Sequence, residues 1–376
     1  MNSVYSEIKK IRQDRFFKPI GSLMNRYCIH CQEPNGIKTA YCFSVPIHNN
    51  QSNNIVDLKF HHQSQYSLFT GTNCKIIVSD KIKIINEHGQ CDVILPCNLY
   101  KKTDGAIFFK NDVGVIEIHP TLNGILLLFD NNLSFEHKKI KLCCNKVFES
   151  TRTNNKYFSI MREKFIPFVT VSCIGLINQH GKISAPCEVV SQKLNDTEHI
   201  LSFSSINSQN RIAIEINVQE PKLFQDTTVE SMHPTVNNAF GGTSFLGTSK
   251  MFGEQWLYSR LDISNISHLQ GKKIIESILH IPQLGYNNSP ITVSKISERF
   301  CSFGSNWENK IPIRDKIAIS SCSQGYYHLD VTKLLGNFKN KAENFVIRGI
   351  NQNKPVIIPT GDSFYTPQIL EVKYQY

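Results

Sequence analysis

Short apolar runs separated by turn residues recur along the chain. Among them are Lys75-Ile-Ile-Val78, Val93-Ile-Leu95, Ala106-Ile-Phe-Phe109, Val113-Gly-Val-Ile-Glu-Ile118 and Gly124-Ile-Leu-Leu-Leu-Phe129. Gly71-Thr-Asn73, His88-Gly89, Asp104-Gly105, Asn111-Asp112 and Asn131-Asn132 bound them. Runs of about 4–8 residues at such spacing predict strands of a β-sandwich or a related all-β module. Ile55-Val-Asp-Leu-Lys-Phe60 reads the same way. Further strands are predicted over 168–177, 188–192, 199–203 and 211–218, either as a small domain or as the second sheet of the first. Helix is expected in two short pieces only. One is an amphipathic lead over 5–15, with Tyr5, Ile8 and Ile11 on one face, and the other covers 150–163. The fold expected is all-β and multi-domain, ending in a jelly-roll-like β-sandwich. Residues 1–50 form a lead, 51–220 one or two β-sandwich-like domains, and 224–376 the last sandwich.

Composition sharpens this picture. The 376 residues exceed what one small core needs. Alanine is scarce, which removes the best helix former. The net charge of +10 comes from basic residues scattered singly among Asn and Ser. Nucleic-acid surfaces need clustered cations, so no nucleic acid is expected as a partner. Attraction to an anionic envelope glycan fits a diffuse positive charge. No stretch approaches the ~20 apolar residues of a membrane span. The start lacks the apolar core of a signal peptide, which predicts synthesis in the cytoplasm without one.

Twelve cysteines are spread along the chain rather than grouped as a disulfide framework. Several, such as Cys74, Cys173 and Cys187, sit in apolar strand contexts and are expected as buried free thiols. Cys28, Cys31, Cys42 and His48 carry a Cys-x2-Cys-x10-Cys-x5-His spacing that zinc could use. Cys42, however, lies in the strand-like Ala40-Tyr-Cys-Phe-Ser-Val45, and no second Cys-x2-Cys pair exists. No metal or cofactor is therefore expected to be required.

The most informative stretches lie in the last ~150 residues. They are Trp256-Leu-Tyr-Ser-Arg260-Leu-Asp262-Ile, Phe303-Gly-Ser-Asn306-Trp307 and Tyr326-Tyr-His-Leu-Asp330-Val-Thr332. Thr366-Pro367-Gln-Ile-Leu-Glu-Val-Lys-Tyr374 ends the series. The approach to them, Pro234-Thr-Val-Asn237-Asn-Ala-Phe-Gly241-Gly-Thr-Ser-Phe-Leu246-Gly247, supplies a Pro and an Asn before a Gly turn and a Leu-Gly strand. In order and spacing these pieces resemble the DNRLRE, or disaggregatase-related, domain, over about two-fifths of the chain. The resemblance implies an extracellular β-sandwich that binds sugar or adheres to surfaces. The Asp-rich loops of calcium-dependent sandwich lectins are missing from this chain.

Side chains alternate faces along a strand. Leu257, Leu261 and Ile263 then face a core, and Trp256, Tyr258, Arg260 and Asp262 face away. Aromatic planes suit the C–H face of a pyranose, and guanidinium and carboxylate groups suit its hydroxyls. Phe364 and Tyr365, in Gly361-Asp-Ser-Phe-Tyr365, are expected as an exposed aromatic pair and a second contact point. The sequence lacks Gly-x-Ser-x-Gly, His-Glu-x-x-His, a phosphate loop and Gly-x-Gly-x-x-Gly. The expected function is non-catalytic binding of a polysaccharide or cell-envelope glycan, at a cell surface, outside the cell or within a particle. Two alternatives remain. One is a structural subunit of a phage tail or similar particle, as a homo-oligomer or beside other particle subunits. The other is a polysaccharide-degrading enzyme using the β-rich N-terminal part.

Overall fold

A computed structural model describes residues 18–19, 25–50, 54–144, 157–163, 166–204, 210–336, 338, 340–351 and 353–375. The chain is nearly all β, with 55% strand and 4% helix. It divides into two compact units, one made of 1–48 with 221–376 and the other of 49–220. Among the described residues, no helix is long and apolar enough to cross a membrane.

The unit containing both chain ends is a sandwich of two sheets. One sheet runs, in spatial order, Lys18–Pro19, Cys28–Gln32, Lys38–Phe43, Ile369–Gln375, Lys273–Pro282, Tyr326–Asp330 and Cys322–Ser323. The other runs Ile313–Ser320, Ile291–Ile296, Ala342–Gly349, Gly253–Asp262, Thr243–Ser249 and Val356–Pro359. Phe224–Glu230 also pairs with Gly253–Asp262. Alternation sends Leu257, Leu261, Phe345, Ile347, Ile291 and Val293 inward from this second sheet. They meet Leu279, Ile281, Leu329, Leu370, Val372 and Tyr374 from the first, with Cys28, Ala40 and Cys42. The segment expected as a lead thus places two strands inside this sandwich, because Lys38–Phe43 pairs in antiparallel register with Ile369–Gln375.

The other unit also has two sheets. Ile166–Ile177, Arg211–Val218, Gly124–Phe129 and Val115–Thr121 are successive neighbours in one. Glu198–Ser204, Lys139–Cys144, Gly89–Ile94 and Ile82–Asn86 are successive neighbours in the other. Phe129 and Phe203 meet across them at 5.7 Å between ring centroids. Both sheets therefore draw strands from the early and the late part of 49–220.

Three expectations change. The helix expected over 150–163 is contradicted where it can be seen, because Tyr157–Glu163 is a strand paired with Ile166–Ile177. Tyr157, Phe158 and Ile160 favour a strand, and pairing with the long neighbouring strand outweighs any helical periodicity. Residues 150–156 and the helix expected over 5–15 lie outside the described residues. Ile55-Phe60 forms no ladder beyond a bridge at Ile55. Cys173 and Cys187 are not free thiols but partners in a disulfide, while Cys74 is buried and free as expected. Alternation alone gave no sign that a residue in one strand would meet another 14 positions on.

A disulfide closing a loop of that length contributes about 3 kcal/mol by restricting the unfolded chain. Cys173→Ser should lower urea-unfolding stability by about that amount. Titration of denatured, unreduced protein should find ten thiols, and twelve after reduction. Twelve without reduction would remove the disulfide.

Candidate functional site

The strand Gly253–Asp262 divides as period two requires. Leu257, Leu261 and Ile263 are buried in the main core. Trp256, Tyr258, Arg260 and Asp262 lie on the opposite face, which is only partly open to solvent. Residues 297–312, between Ile291–Ile296 and Ile313–Ser320, fold back across it. Tyr258 is fully buried among Val229, Ile296, Phe300 and Val346. Its hydroxyl donates to the Ile311 carbonyl at 2.8 Å, and its ring lies 6.0 Å from that of Phe300. Burial raises its phenol pKa. The expectation that Tyr258 contacts ligand is corrected, because its polar atom is spent on holding the covering loop.

Asp262 is half-buried and caps the 3-10 turn Ile263–Leu269, accepting a hydrogen bond from the Ser264 amide at 3.1 Å. Arg260 is also half-buried, and its enclosed Nε has no hydrogen-bond partner. Phe364 is fully buried, so the exposed aromatic pair does not exist, although Tyr365 is half-buried. The segment carrying them is tied down at both sides. The Thr360 amide donates to the Gly242 carbonyl at 3.1 Å, and the Gln368 side-chain amide donates to the Pro359 carbonyl at 2.8 Å. A run of Gly, Asp, Ser and Thr looks like open loop, but here its polar groups are consumed by internal hydrogen bonds.

Trp256 lies on this face with Arg260 and Asp262. It is half-buried, and its indole N–H donates to Glu254 at 2.8 Å. Trp307, from the covering loop, meets it edge to face at 5.3 Å and 62°. The register that pairs Tyr258 with Val346 places Arg348 on the same face. The Arg348 guanidinium lies 5.0 Å from the Trp256 ring centroid. Lys310 Nζ lies 4.3 Å from the ring centre of Trp307 and 5.8 Å from that of Trp256. Two indoles and two cations are thus assembled from three segments. Strand alternation found one of the four. Arg348 was findable from the same alternation in Ala342–Gly349, whereas Lys310 depends on the fold of the loop.

A buried charged group lies elsewhere in this sandwich. Lys222 forms an ion pair with Asp362, whose side chain is almost wholly enclosed. Asp226 is also buried and accepts from the Gly361 amide. Desolvation pushes the Asp226 carboxyl up to about 7, against the lowering effects of the Gly361 amide and Lys222. Both carboxyls are shut away from solvent, so neither is presented to a substrate.

The four residues of the Cys-x2-Cys-x10-Cys-x5-His spacing, set aside as a zinc set in the sequence, are not brought to a common centre. Cys28 and Cys42 are buried, with sulfurs 2.9 Å apart. Cys31 is buried on the other face of its strand, because residues three apart on a strand point oppositely. His48 is buried and outside the cluster that the structure forms around Cys28. That cluster contains His30, whose imidazole is pushed down to about 3 by desolvation first and then by His268 and Lys38.

The unit 49–220 holds a cavity of about 400 Å³, with Asn49, Asn50, Thr72, Asn73 and Glu87 in its lining. Among its described lining residues Glu87 is the one carboxylate, and Asp57 lines an adjoining cavity that shares Asn49 and Thr70.

The Asp226 shift has a sign. A carboxyl near 3.8 unfolded and about 7 folded favours folding most while protonated in both states. That contribution fades as pH rises through the interval between the two values and is gone above it. Asp226→Asn should therefore flatten the pH dependence of unfolding free energy between about 4 and 7. Measured by urea titration at several pH values, an unchanged profile would show that Asp226 stays ionised. Neither a protein-family model nor a curated protein matches the chain.

Proposed function

We propose that the protein is a non-catalytic surface or particle-associated component that binds an acidic carbohydrate at Trp256, Trp307, Lys310 and Arg348. The observation carrying this reading is the half-buried indole pair with a cation against each ring. Cation–π contacts hold Lys310 and Arg348 over apolar surface. There they can meet a uronate carboxylate or a phosphate diester, while the uncovered parts of the indoles meet sugar C–H groups. The resemblance of 224–376 to the DNRLRE domain supports the same class of ligand. The excess of basic residues over the whole chain favours an acidic one.

The full chain should bind a uronate- or phosphate-bearing polysaccharide more tightly than a neutral one, with affinity falling as salt rises. Lys310→Ala and Arg348→Ala should each weaken binding by about 5–30-fold, or roughly 1–2 kcal/mol, without unfolding the protein. Trp256→Ala is a poorer probe because it strips packing from Tyr258. Equal binding of neutral and acidic glycans by wild type and both charge variants would sink this reading.

A further inference from the structure

Three buried or half-buried donors, Cys28, His30 and His268, converge in the sandwich formed by 1–48 and 221–376, and a fourth, Cys42, lies against Cys28. The hairpin of Cys28–Gln32 and Lys38–Phe43 supplies three of the four. It turns at Asn35-Gly36, where Gly36 has φ +83°, a backbone state that glycine adopts freely. The resulting register sets Cys28 directly opposite Cys42. His30, two residues beyond Cys28, shares its face. His268 comes from the 3-10 turn Ile263–Leu269 capped by Asp262.

The Cys28 and Cys42 sulfurs are 2.9 Å apart. One ligand atom each from Cys28, His30 and His268 falls within 4.8 Å of the other two. The His30 and His268 rings meet at 4.6 Å and 74°. Ligands about 2.0–2.3 Å from a common tetrahedral zinc lie about 3.3–3.8 Å apart, so modest side-chain rotations bring these three donors to that geometry, and Cys42 would join them through its place beside Cys28.

An independent observation comes from the histidine nitrogens. His30 is fully buried, and its Nδ1 contacts the Tyr374 hydroxyl at 3.1 Å. Its Nε2 is enclosed and has no hydrogen-bond partner. A buried nitrogen left in that state costs on the order of 1–3 kcal/mol. A metal-ligating histidine shows this pattern, with one nitrogen held by an outer partner and the other left for the ion. The Nε2 of His268 is likewise enclosed and unpartnered, while Asn25 Nδ2 approaches its Nδ1 at 3.3 Å. Ligation through Nε2 puts the His268 proton on Nδ1, so that long amide contact has to give way.

We propose that Cys28, Cys42, His30 and His268 form a buried Cys2His2 site for a divalent cation of the zinc class. Two thiolates and two neutral imidazoles match zinc's preference, and a bound cation would favour loss of the thiol protons. The ion would fasten the N-terminal hairpin to the 3-10 turn some 230 residues later in the sequence. The proposal is independent of the carbohydrate reading.

The test uses the full chain, purified under reducing conditions and loaded with zinc or cobalt. Elemental analysis should find about one zinc per chain after dialysis. Cobalt should give the visible bands and thiolate charge-transfer absorption of a tetrahedral sulfur–nitrogen site. Cys31→Ser should retain both, and His30→Ala and Cys42→Ser should lose them. Should those last two fail to fold, the cobalt spectrum of wild type still decides. Absence of tetrahedral bands at stoichiometric cobalt would overturn the proposal. So would a Cys28–Cys42 disulfide found by peptide mapping of protein kept under reductant, because it would consume both thiols.

Discussion

The sandwich at the two chain ends depends on one ladder, the antiparallel pairing of Lys38–Phe43 with Ile369–Gln375. Its register runs from Lys38 opposite Tyr374 to Phe43 opposite Ile369. Strand pairing fixes face as well as position, because a slip by one residue would turn every side chain over. In the observed register Ala40 and Cys42 enter the same core as Leu370, Val372 and Tyr374. The ladder thus sets Tyr374 against His30 and brings residues near the start of the chain beside residues near its end. Such non-local pairing costs chain entropy before any contact compensates it. It is offset here by an apolar cluster drawing on strands of both sheets.

Above the strands, loops decide which groups meet solvent. Period two assigned Trp256, Tyr258, Arg260 and Asp262 to one face and placed them there. Whether that face is wet is a separate matter, settled by the 16 residues of 297–312. This loop brings Phe300, Trp307 and Ile311 of its own, and these apolar groups gain by covering Tyr258 and Val346. The same loop exchanges hydrogen bonds with 234–237. The Asn237 side chain donates to the carbonyls of Ser302 and Ser305, and the Glu308 amide donates to the Pro234 carbonyl. A second small core results outside the main one, with Trp256 and Trp307 at its margin.

The legible and illegible parts of the sequence divide along the same line. Strand runs such as 168–177 and 211–218 were visible because apolar and β-branched residues outlast local noise over several positions. They appear as Ile166–Ile177 and Arg211–Val218. The inward set of Gly253–Asp262 was legible for the same reason. Phe364 misled because Gly361-Asp-Ser has turn composition, and composition says nothing of the hydrogen bonds that pack it inward. The Cys-x2-Cys spacing was rightly set aside, because two sulfurs so spaced converge at a turn and not on a strand. On the strand Cys28–Gln32 the useful spacing is Cys28-x-His30, and its remaining partners arrive through cross-strand register and a distant turn. Pairwise sequence spacing cannot encode either one.

Cysteine chemistry follows from burial more than from number. Of the ten free thiols only Cys301 is exposed, with Cys143 and Cys322 half-buried. Desolvation lifts the thiol pKa of Cys28, Cys74 and Cys97, and hydrogen bonding to Cys144 with burial does so for Cys91. Exchange and oxidation proceed through the thiolate, so these groups are shielded twice, by lack of access and by scarcity of the reactive form. The cross-strand pair Cys91 and Cys144 shows the consequence, because two sulfurs can sit opposite one another in a ladder while both stay buried thiols, Cys144 donating to the Gln90 carbonyl at 2.9 Å. The Cys173–Cys187 disulfide joins the strand Ile166–Ile177 to the residue just before Glu188–Asn195 of the other sheet, whereas Cys28 of the Cys28–Cys42 pair has two imidazoles beside it. Neighbouring donors, and not the number of cysteines, distinguish a sulfur pair suited to a metal from one suited to a covalent bond.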